Sequence, residues 1–312
     1  MMQKMWIASL FLLYFANSDA QIRFAVASDM QWAVGENCFH NDYFKGVCEA
    51  IKQQNVDFMV VPGDFAPPSE TNWTITQVFG NNFLWYPVMG NHEIEISNYR
   101  EATKSLIKKL PYLNPGPPGS EATYSFDVEN IHFSCLNLYY DGKSDNGRGT
   151  DADVCDALYD WLEQDLKNSK KPIKLVFGHE PAFPQPDKDS GLIRHEGASL
   201  DEYPDHRDRF WELLKNQGVM AYICGHSHGY STVEIDSVWQ IDVGHSQGKS
   251  YTGTPSTFMI VEQKDNQVCF NVYRDIHDGV YDYDDIIYQW QVDIAIDVVP
   301  PFPPENIRIS SF

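Results

Sequence analysis

The sequence predicts an α/β fold in which two β-sheets pack face to face and helices cover their outer sides. In the first half of the chain, apolar segments of strand length alternate with amphipathic segments of helix length, which is the pattern of β-α-β units. Toward the C-terminal end, the apolar segments 239–243, 258–262 and 268–273 follow one another without helices between them. Strands that alternate with helices, followed by strands without helices between them, favour two packed sheets over a single sheet.

Each predicted element depends on the spacing of its apolar residues. Residues 43–54 are an example, since Phe44, Val47, Cys48 and Ile51 recur at the spacing of one helix face. Residues 114–119 are rich in Pro and Gly, a composition typical of a lid or crossover loop. In chain order, the other predicted elements are strands 22–28, 58–61 and 85–89, helix 99–109, a hairpin of strands 123–128 and 131–138, helix 155–168, strand 173–177, helix 207–216 and strand 219–224.

Five of the predicted strands end in residues that can bind a metal ion. These residues are Asp29, Asp64, Asn91, His179 and the pair His226 and His228. Because ligand sites in open α/β sheets lie beyond the carboxyl ends of the strands, we expect the six side chains to share one site. Carboxylate and imidazole together suit zinc, iron or manganese. Six ligands exceed the need of one tetrahedral ion and predict a two-metal site, with ions roughly 3.5–4 Å apart.

The histidine pair lies in the segment Gly225-His226-Ser227-His228, directly after an apolar strand. If the backbone stays extended there, side chains at i and i+2 point the same way, so that both imidazoles face one cation. A Gly-His-x-His sequence also occurs by chance in loops. The prediction therefore depends on the other four strand ends.

In this order, the strand-end motifs resemble those of the calcineurin-like metallophosphoesterases. The motifs that carry the resemblance are Asp29, Gly63-Asp64, Gly90-Asn91-His92-Glu93, Gly178-His179 and Gly225-His226-Ser227-His228. The resemblance extends from about residue 22 to the strands near residue 270. It implies a four-layer αββα sandwich of two packed mixed β-sheets flanked by helices. One motif departs, because the family usually has Asp-x-His where this chain has Asp29-Met30-Gln31.

The resemblance also implies which ion each side chain holds. Asp64 would bridge both ions. The first ion would be held by Asp29, His228 and Gln31, and the second by Asn91, His179 and His226. Gln31 either binds its ion through the amide oxygen or hydrogen-bonds a bound water or Asp29 instead.

The residue after Asn91 is the candidate to act on the substrate. His92 would protonate the leaving oxygen or stabilise charge on the phosphoryl group, so His92 and Asp64 are the predicted catalytic residues. Asn91 and His92 would also contact the substrate, and His40 and His245 lie in loops that could border the same site. The neighbouring Glu93 is better interpreted as a hydrogen-bonding partner than as a base.

The predicted activity is hydrolysis of phosphate mono- or diesters. A metal-bridging hydroxide would attack phosphorus, because water bound to such ions loses its proton near pH ~7, and two divalent ions (Mn, Fe or Zn) would be the cofactors. The alternative is a phosphate-ligand binding protein of the same fold with a weakened first metal site and little turnover. A third, weaker interpretation is a cell-surface adhesion or scaffold protein.

Two branches of the family are disfavoured by the residues that follow Asp64. The protein Ser/Thr phosphatases continue with Asp-Arg-Gly three residues on, and the purple acid phosphatases have Tyr at the third position. This chain has Phe65-Ala66-Pro67-Pro68 there.

The N-terminal 20 residues have the features of a cleavable signal peptide. Lys4 precedes an apolar run at 5–16, and Ser18-Asp19-Ala20 provides small residues for cleavage after Ala20. A membrane anchor is disfavoured because the run is shorter than the ~20 apolar residues that a spanning helix needs. We therefore expect a secreted, periplasmic or extracellular protein with a catalytic domain at 21–298 and a Pro-rich tail at 299–312.

The net charge of −21 limits the kinds of partner that the protein can bind. Such an acidic surface disfavours nucleic acid and anionic membranes as partners. It also repels phosphate esters, so that the site must supply its own positive charge, which two divalent cations would do locally. The expected partner is a small phosphorylated substrate, without stable membrane insertion. Among the six cysteines, Cys38, Cys48 and Cys155 are the candidates for a disulfide bridge.

Overall fold

The computed structural model describes residues 22–38, 43–248, 252–276 and 283–294. The predicted signal peptide, the Pro-rich tail, both ends of the predicted 21–298 domain and His40 lie outside the described residues. Among the described helices, none combines the length and the apolar character that crossing a bilayer requires.

The described residues form thirteen strands and six α-helices. The strands are β1 (Ile22–Val26), β2 (Phe58–Val61), β3 (Leu84–Pro87), β4 (Asn114–Pro115), β5 (Tyr124–Val128), β6 (Ile131–Cys135), β7 (Ile173–Phe177), β8 (Ala221–Cys224), β9 (Tyr230–Ile235), β10 (Val238–Val243), β11 (Thr257–Lys264), β12 (Gln267–Arg274) and β13 (Tyr288–Asp293). The helices are α1 (Phe44–Gln53), α2 (Pro68–Phe79), α3 (Asn91–Glu95), α4 (Ser97–Ile107), α5 (Asp156–Asn168) and α6 (Pro204–Asn216).

The strands form two mixed sheets. The six-stranded sheet has the order β13-β12-β11-β1-β2-β3, with β1, β2 and β3 parallel. The seven-stranded sheet has the order β4-β5-β6-β7-β8-β10-β9, with β6, β7, β8 and β10 parallel. The strands after residue 230 complete both sheets, as the run of consecutive C-terminal strands predicted.

The alternation of side chains along β2 shows why the sheets are layered. Phe58 and Val60 belong to the core between the sheets, whereas Met59 and Val61 belong to a second core with α1 and α2. Successive side chains of a strand face opposite sides, so a strand that is apolar throughout must be covered on both. Between the sheets, the ring of Phe133 lies 5.6 Å from that of Phe58.

Helices α5 and α6 lie against the seven-stranded sheet, where the ring of Phe210 contacts that of Tyr222 at a centroid distance of 5.3 Å. The order of layers is therefore helix, sheet, sheet, helix. The predicted αββα sandwich is confirmed.

The segment 114–119, predicted to be a lid or crossover loop, is the crossover from the six-stranded sheet to the seven-stranded sheet. Its first two residues were not predicted as a strand, but they form β4 and pair with β5, with Asn114 opposite Ser125. The structure contains no disulfide bridge among Cys38, Cys48 and Cys155. Two strands were also missed, β9 and β13.

Candidate metal centre

Two overlapping clusters of metal-binding side chains lie beyond the carboxyl ends of β1, β2, β7 and β8. In the first cluster, the ligand atoms of Asp29, Asp64 and His228 lie within 4.8 Å of one another. In the second, those of Asp64, His179 and His226 do so. All five residues are buried, and Asp64 belongs to both clusters. This grouping matches the one that the family resemblance implies; ligation itself stays a prediction.

His179 is held so that one ring nitrogen faces the second cluster. Its Nδ1–H donates to the carbonyl oxygen of Pro62 at 2.8 Å. Its Nε2 lies 3.1 Å from Oδ1 of Asn91 and 3.3 Å from Oδ2 of Asp64. A backbone carbonyl that fixes the tautomer of a histidine is the usual support of a metal ligand.

The first cluster is organised by the carboxylate of Asp29. The backbone N–H of His226 donates to both oxygens of Asp29, at 3.1 and 2.9 Å. Oδ1 of Asp29 lies 3.4 Å from Nε2 of His228. The side chains of the predicted ligands Asp29 and His228 therefore lie next to each other.

Gln31 lies beside this cluster. Its Nε2 is 3.2 Å from Nε2 of His228, and its Oε1 is buried without a hydrogen-bond partner among the described residues. A buried amide oxygen normally has a partner. An amide oxygen orphaned next to Asp29, Asp64 and His228 fits a site that accepts a cation, and the mixed oxygen and nitrogen donors fit manganese, iron or zinc.

Four of the clustered residues have left-handed backbone conformations. The φ angles of Asp29, Asp64, His226 and His228 are 54°, 53°, 71° and 61°. The expectation of an extended backbone through the histidine pair is therefore wrong. The left-handed turns send His226 to one cluster and His228 to the other, instead of aiming both imidazoles at one cation. Such conformations are uncommon for residues other than glycine and concentrate at functional sites.

The glycines of the motifs are required by close approach. A Cβ atom at Gly225 would overlap Oδ2 of Asp29, and a Cβ at Gly90 would overlap Oδ1 of Asp64. Only glycine allows the backbone to lie this close to the carboxylates. The Gly-His and Gly-Asn dipeptides are therefore explained by the packing of predicted ligands against neighbouring strand ends.

Glu93 is a structural residue, as expected. Its Oε2 accepts hydrogen bonds from the backbone N–H groups of Asp64 and Gly90, and its Oε1 accepts one from Phe65. These bonds tie the turn after β2 to the start of α3. Burial raises the pKa of Glu93 to about 8.

The acidic and imidazole groups have strongly shifted pKa values because they are buried together. Burial raises the pKa of Asp29 to about 7, although the charge of His179 opposes this. Burial also acts to raise the pKa of Asp64, but the charge and hydrogen bond of His179 outweigh it and hold that pKa below its usual range. Burial, together with the charge of Arg194, lowers the pKa of His228 to about 2, so its imidazole is neutral, as a metal ligand must be.

A cleft of about 440 Å³ opens over the two clusters. Its lining consists of Gln31, Trp32, Ala33, Tyr43, Asp64, Asn91, His92, Arg194, His195, His226, His228 and Gln247. The predicted substrate residues Asn91 and His92 therefore border the cleft. Nε2 of His92 lies 3.7 Å from Oδ2 of Asp64, and His92 belongs to neither cluster.

Sequence reasoning missed Arg194 and His195. Both lie in the irregular polar segment between β7 and α6, for which no element was predicted. The ring of His195 packs on that of His226 at a centroid distance of 4.1 Å, and Nη1 of Arg194 donates to the carbonyl oxygen of Ser227 at 3.2 Å. An adjacent Arg-His pair in an acidic chain, between two ligand motifs, was the available signal.

One predicted substrate contact is corrected. His245 is fully buried, its Nε2–H donates to the carbonyl oxygen of Thr254 at 3.0 Å, and its Nδ1 accepts from the backbone N–H of Gln247 at 3.4 Å. Its ring lies behind that of His228, with centroids 6.2 Å apart. His245 therefore supports a predicted ligand and does not line the cleft.

Comparison with known proteins gives matches among phosphatases. Tartrate-resistant acid phosphatase type 5 of Mus musculus is 23% identical over 213 residues, which cover 62% of this chain and 61% of that protein's length. A dimetal phosphatase from Danio rerio superposes with a TM-score of 0.60 at 14% identity, covering 88% of this chain and 99% of that one. Purple acid phosphatase PPD1 from yellow lupin (Lupinus luteus) seeds superposes with a TM-score of 0.63 at 12% identity, covering 88% of this chain and 54% of that one.

At these identities, the solved structures show a common fold. The structural similarity does not test whether this chain lies outside the purple acid phosphatase branch, so that inference from Pro67 stays a prediction. The calcineurin-like phosphoesterases act on phosphoric esters and use dinuclear metal centres. Their family model matches residues 22–230, a span that includes β1 to β8 and every side chain of the two clusters. The chain therefore belongs to the calcineurin-like phosphoesterase family.

Proposed function

We propose that this protein hydrolyses small phosphate mono- or diesters with the help of two divalent ions, manganese, iron or zinc. The observation that carries the proposal is the cleft of about 440 Å³ that opens over both clusters, with Asp64 shared between them. Its volume lies in the range of sites for small ligands. A small phosphorylated molecule is therefore the expected substrate.

The chain supplies groups to bind and orient the phosphate. Arg194 lines the cleft as a cation, and its contact with the carbonyl oxygen of Ser227 fixes the direction of the guanidinium. In a chain of net charge −21, a local cation is needed to attract an anionic substrate. Asn91 and His195 border the same space and could donate hydrogen bonds to phosphate oxygens.

Hydrolysis adds water across the P–O bond. The oxygen of water bonds to phosphorus, the bond from phosphorus to the leaving oxygen breaks, and the leaving oxygen takes a proton. Bound divalent ions would neutralise phosphate charge and lower the pKa of water. His92, at the wall of the cleft, would give the proton to the leaving oxygen, and Asp64 would hold the ions in place.

The test is hydrolysis of a panel of mono- and diesters by purified protein under added Mn²⁺, Zn²⁺, Fe²⁺ and Mg²⁺, with elemental analysis of the same sample. Chelation should abolish hydrolysis, and added metal should restore it. Asp64→Asn should lower metal content and activity together. His92→Ala should keep the metal and lower kcat by roughly 10²–10⁴-fold, the usual share of a general acid. Full activity in metal-free protein would contradict the proposal.

A phosphate-binding protein without turnover is the other outcome of the same panel. That result would show phosphate binding with a weakly occupied first metal site and little or no hydrolysis of any ester. The observation that favours this alternative is that Gln31 stands where the family usually has a histidine.

We further propose that the protein is exported. The support is the sequence pattern of residues 1–20, with Lys4, the apolar run and the small residues before Gln21.

A further inference from the structure

A half-exposed tryptophan lies in the wall of the cleft and belongs to neither cluster. Trp32 is 55% exposed, although the indole is one of the largest apolar side chains. Its ring lies 6.4 Å from that of His92, at an interplanar angle of 74°, and 6.2 Å from that of Tyr99. It is therefore an aromatic surface that faces the cleft beside the residue proposed to protonate the leaving oxygen.

The backbone holds Trp32 in an unfavourable conformation. Its φ angle is 65°, in the left-handed region that bulky side chains rarely adopt. Its N–H donates to the carbonyl oxygen of Ala66 at 2.9 Å, and its own carbonyl oxygen accepts from Sγ of Cys38 at 3.5 Å. Strain that surrounding bonds maintain is characteristic of functional sites.

The position of Trp32 indicates which part of the substrate it meets. A proton from His92 goes to the oxygen that leaves phosphorus, so the group attached to that oxygen must lie next to His92. Trp32 occupies this side of the cleft, and Tyr43 lines the cleft as well. An aliphatic group would gain only apolar contact there, whereas a planar aromatic group would also stack against the indole.

We propose that the preferred substrates are phosphate esters whose leaving group carries a planar aromatic ring, which stacks on Trp32. This inference rests on the proposed function, because it uses the role of His92 to place the leaving group. Stacking of one aromatic ring contributes roughly 3- to 10-fold in affinity beyond its apolar area.

The test measures binding of matched phosphonates to the metal-loaded protein by calorimetry, so that it does not depend on turnover. The pair is 3-phenylpropylphosphonate and 3-cyclohexylpropylphosphonate, which differ in the planarity of the ring but not in charge or chain length. We expect the phenyl compound to bind roughly 3- to 10-fold more tightly to the wild type. Trp32→Leu should reduce this ratio to about 1, and Trp32→Phe should retain part of it.

Tyr112→Leu is the matched control. Tyr112 is an aromatic residue with a φ angle of 57° and 94% exposure, but it lines a different groove, so its replacement should leave the ratio unchanged. Equal binding of the two phosphonates to the wild type would overturn the inference, even if Trp32→Leu failed to fold. A ratio that persists in folded Trp32→Leu would overturn it too. Absence of ester hydrolysis together with a Trp32-dependent ratio would reject the catalytic proposal but support stacking.

Discussion

Gln31 occupies the position where the family usually has a histidine ligand, and its amide oxygen is the orphaned atom beside the first cluster. An amide oxygen is a harder and weaker donor than an imidazole nitrogen, and it suits manganese or magnesium better than zinc or iron. Whether it contacts the ion or a bound water, the first site should hold metal less tightly than the second.

Substitution of Gln31 tests this difference. We expect wild-type protein to purify with less than full metal at one site and to gain activity with added Mn²⁺. Gln31→His should raise the occupancy of that site and shift its preference toward zinc or iron, as measured by calorimetric titration. Gln247→His is the control, because Gln247 lines the cleft outside both clusters. Two equally tight sites in the wild type, unchanged by Gln31→His, would show that this position does not tune the metal.

The clustered residues were predictable because each follows an apolar strand, and all except Asp29 lie in a motif that contains a glycine. Their conformations were not, since a left-handed φ at His226 or His228 depends on how the chain must turn against the neighbouring strand end. The adjacent Arg194-His195 pair was a signal in the sequence, but the position of Arg194 in the cleft could not be predicted, for a related reason. A long irregular segment brings Arg194 to the cleft, and the path of such a segment cannot be predicted from the periodicity of apolar residues.

At the scale of elements, a buried histidine connects a β-hairpin to a helix. Nδ1 of His132, in β6, lies 2.7 Å from Oδ1 of Asp127 in β5, and its Nε2 lies 2.9 Å from Oδ2 of Asp165 in α5. Burial acts to lower the pKa of His132, but the hydrogen bonds and charges of Asp165 and Asp127 outweigh it and raise that pKa. The imidazolium form therefore links the three elements.

This arrangement predicts a pH-dependent contribution to stability. The folded-state pKa of His132 is raised, so its contribution is fully present below the unfolded value of about 6.5 and is lost as pH rises through the folded value. His132→Gln should lower the free energy of unfolding by about 1.5–3 kcal/mol at pH 5.5, in the range of hydrogen bonds to charged groups, and by less at pH 9. Chemical denaturation at both pH values measures this.

His206→Gln provides the comparison for that experiment. His206 pairs with a single carboxylate, Asp153, and 45% of its side chain is exposed, so the loss should be smaller. A His132→Gln loss that stays the same from pH 5.5 to pH 9 would contradict the assignment of an imidazolium at this position.

Most of the elements were predictable from apolar periodicity, and the exceptions share one property. Strands β4, β9 and β13 all lie at sheet edges. Strand β13 alternates between partly buried and exposed residues, and β4 has only two residues. Edge strands pair on one side only, here β4 with β5, β9 with β10 and β13 with β12. Their own composition carries little signal of that pairing.

At the scale of the whole molecule, the proposed export can be tested from the N-terminus of the mature protein. N-terminal sequencing and intact mass of protein secreted by an expressing cell should show a start at Gln21, because cleavage after Ala20 removes residues 1–20. A secreted chain that begins at Met1 would reject the signal peptide. Ala20→Arg, which removes the small residue at the cleavage position, should retain residues 1–20 in the cell-associated fraction.

The two sheets provide chemically different halves of the centre. Asp29, Asp64 and Asn91 follow strands of the six-stranded sheet, whereas the three histidines follow strands of the seven-stranded sheet. The gap between carboxylates and imidazoles is thus set by the thickness of the aromatic layer between the sheets, where Phe24 meets Phe133 at a centroid distance of 5.2 Å. Because a close-packed interior transmits small displacements, these phenylalanines act as spacers between the carboxylates and the imidazoles. Selection for one metal over another can therefore act on hydrophobic residues that never touch it.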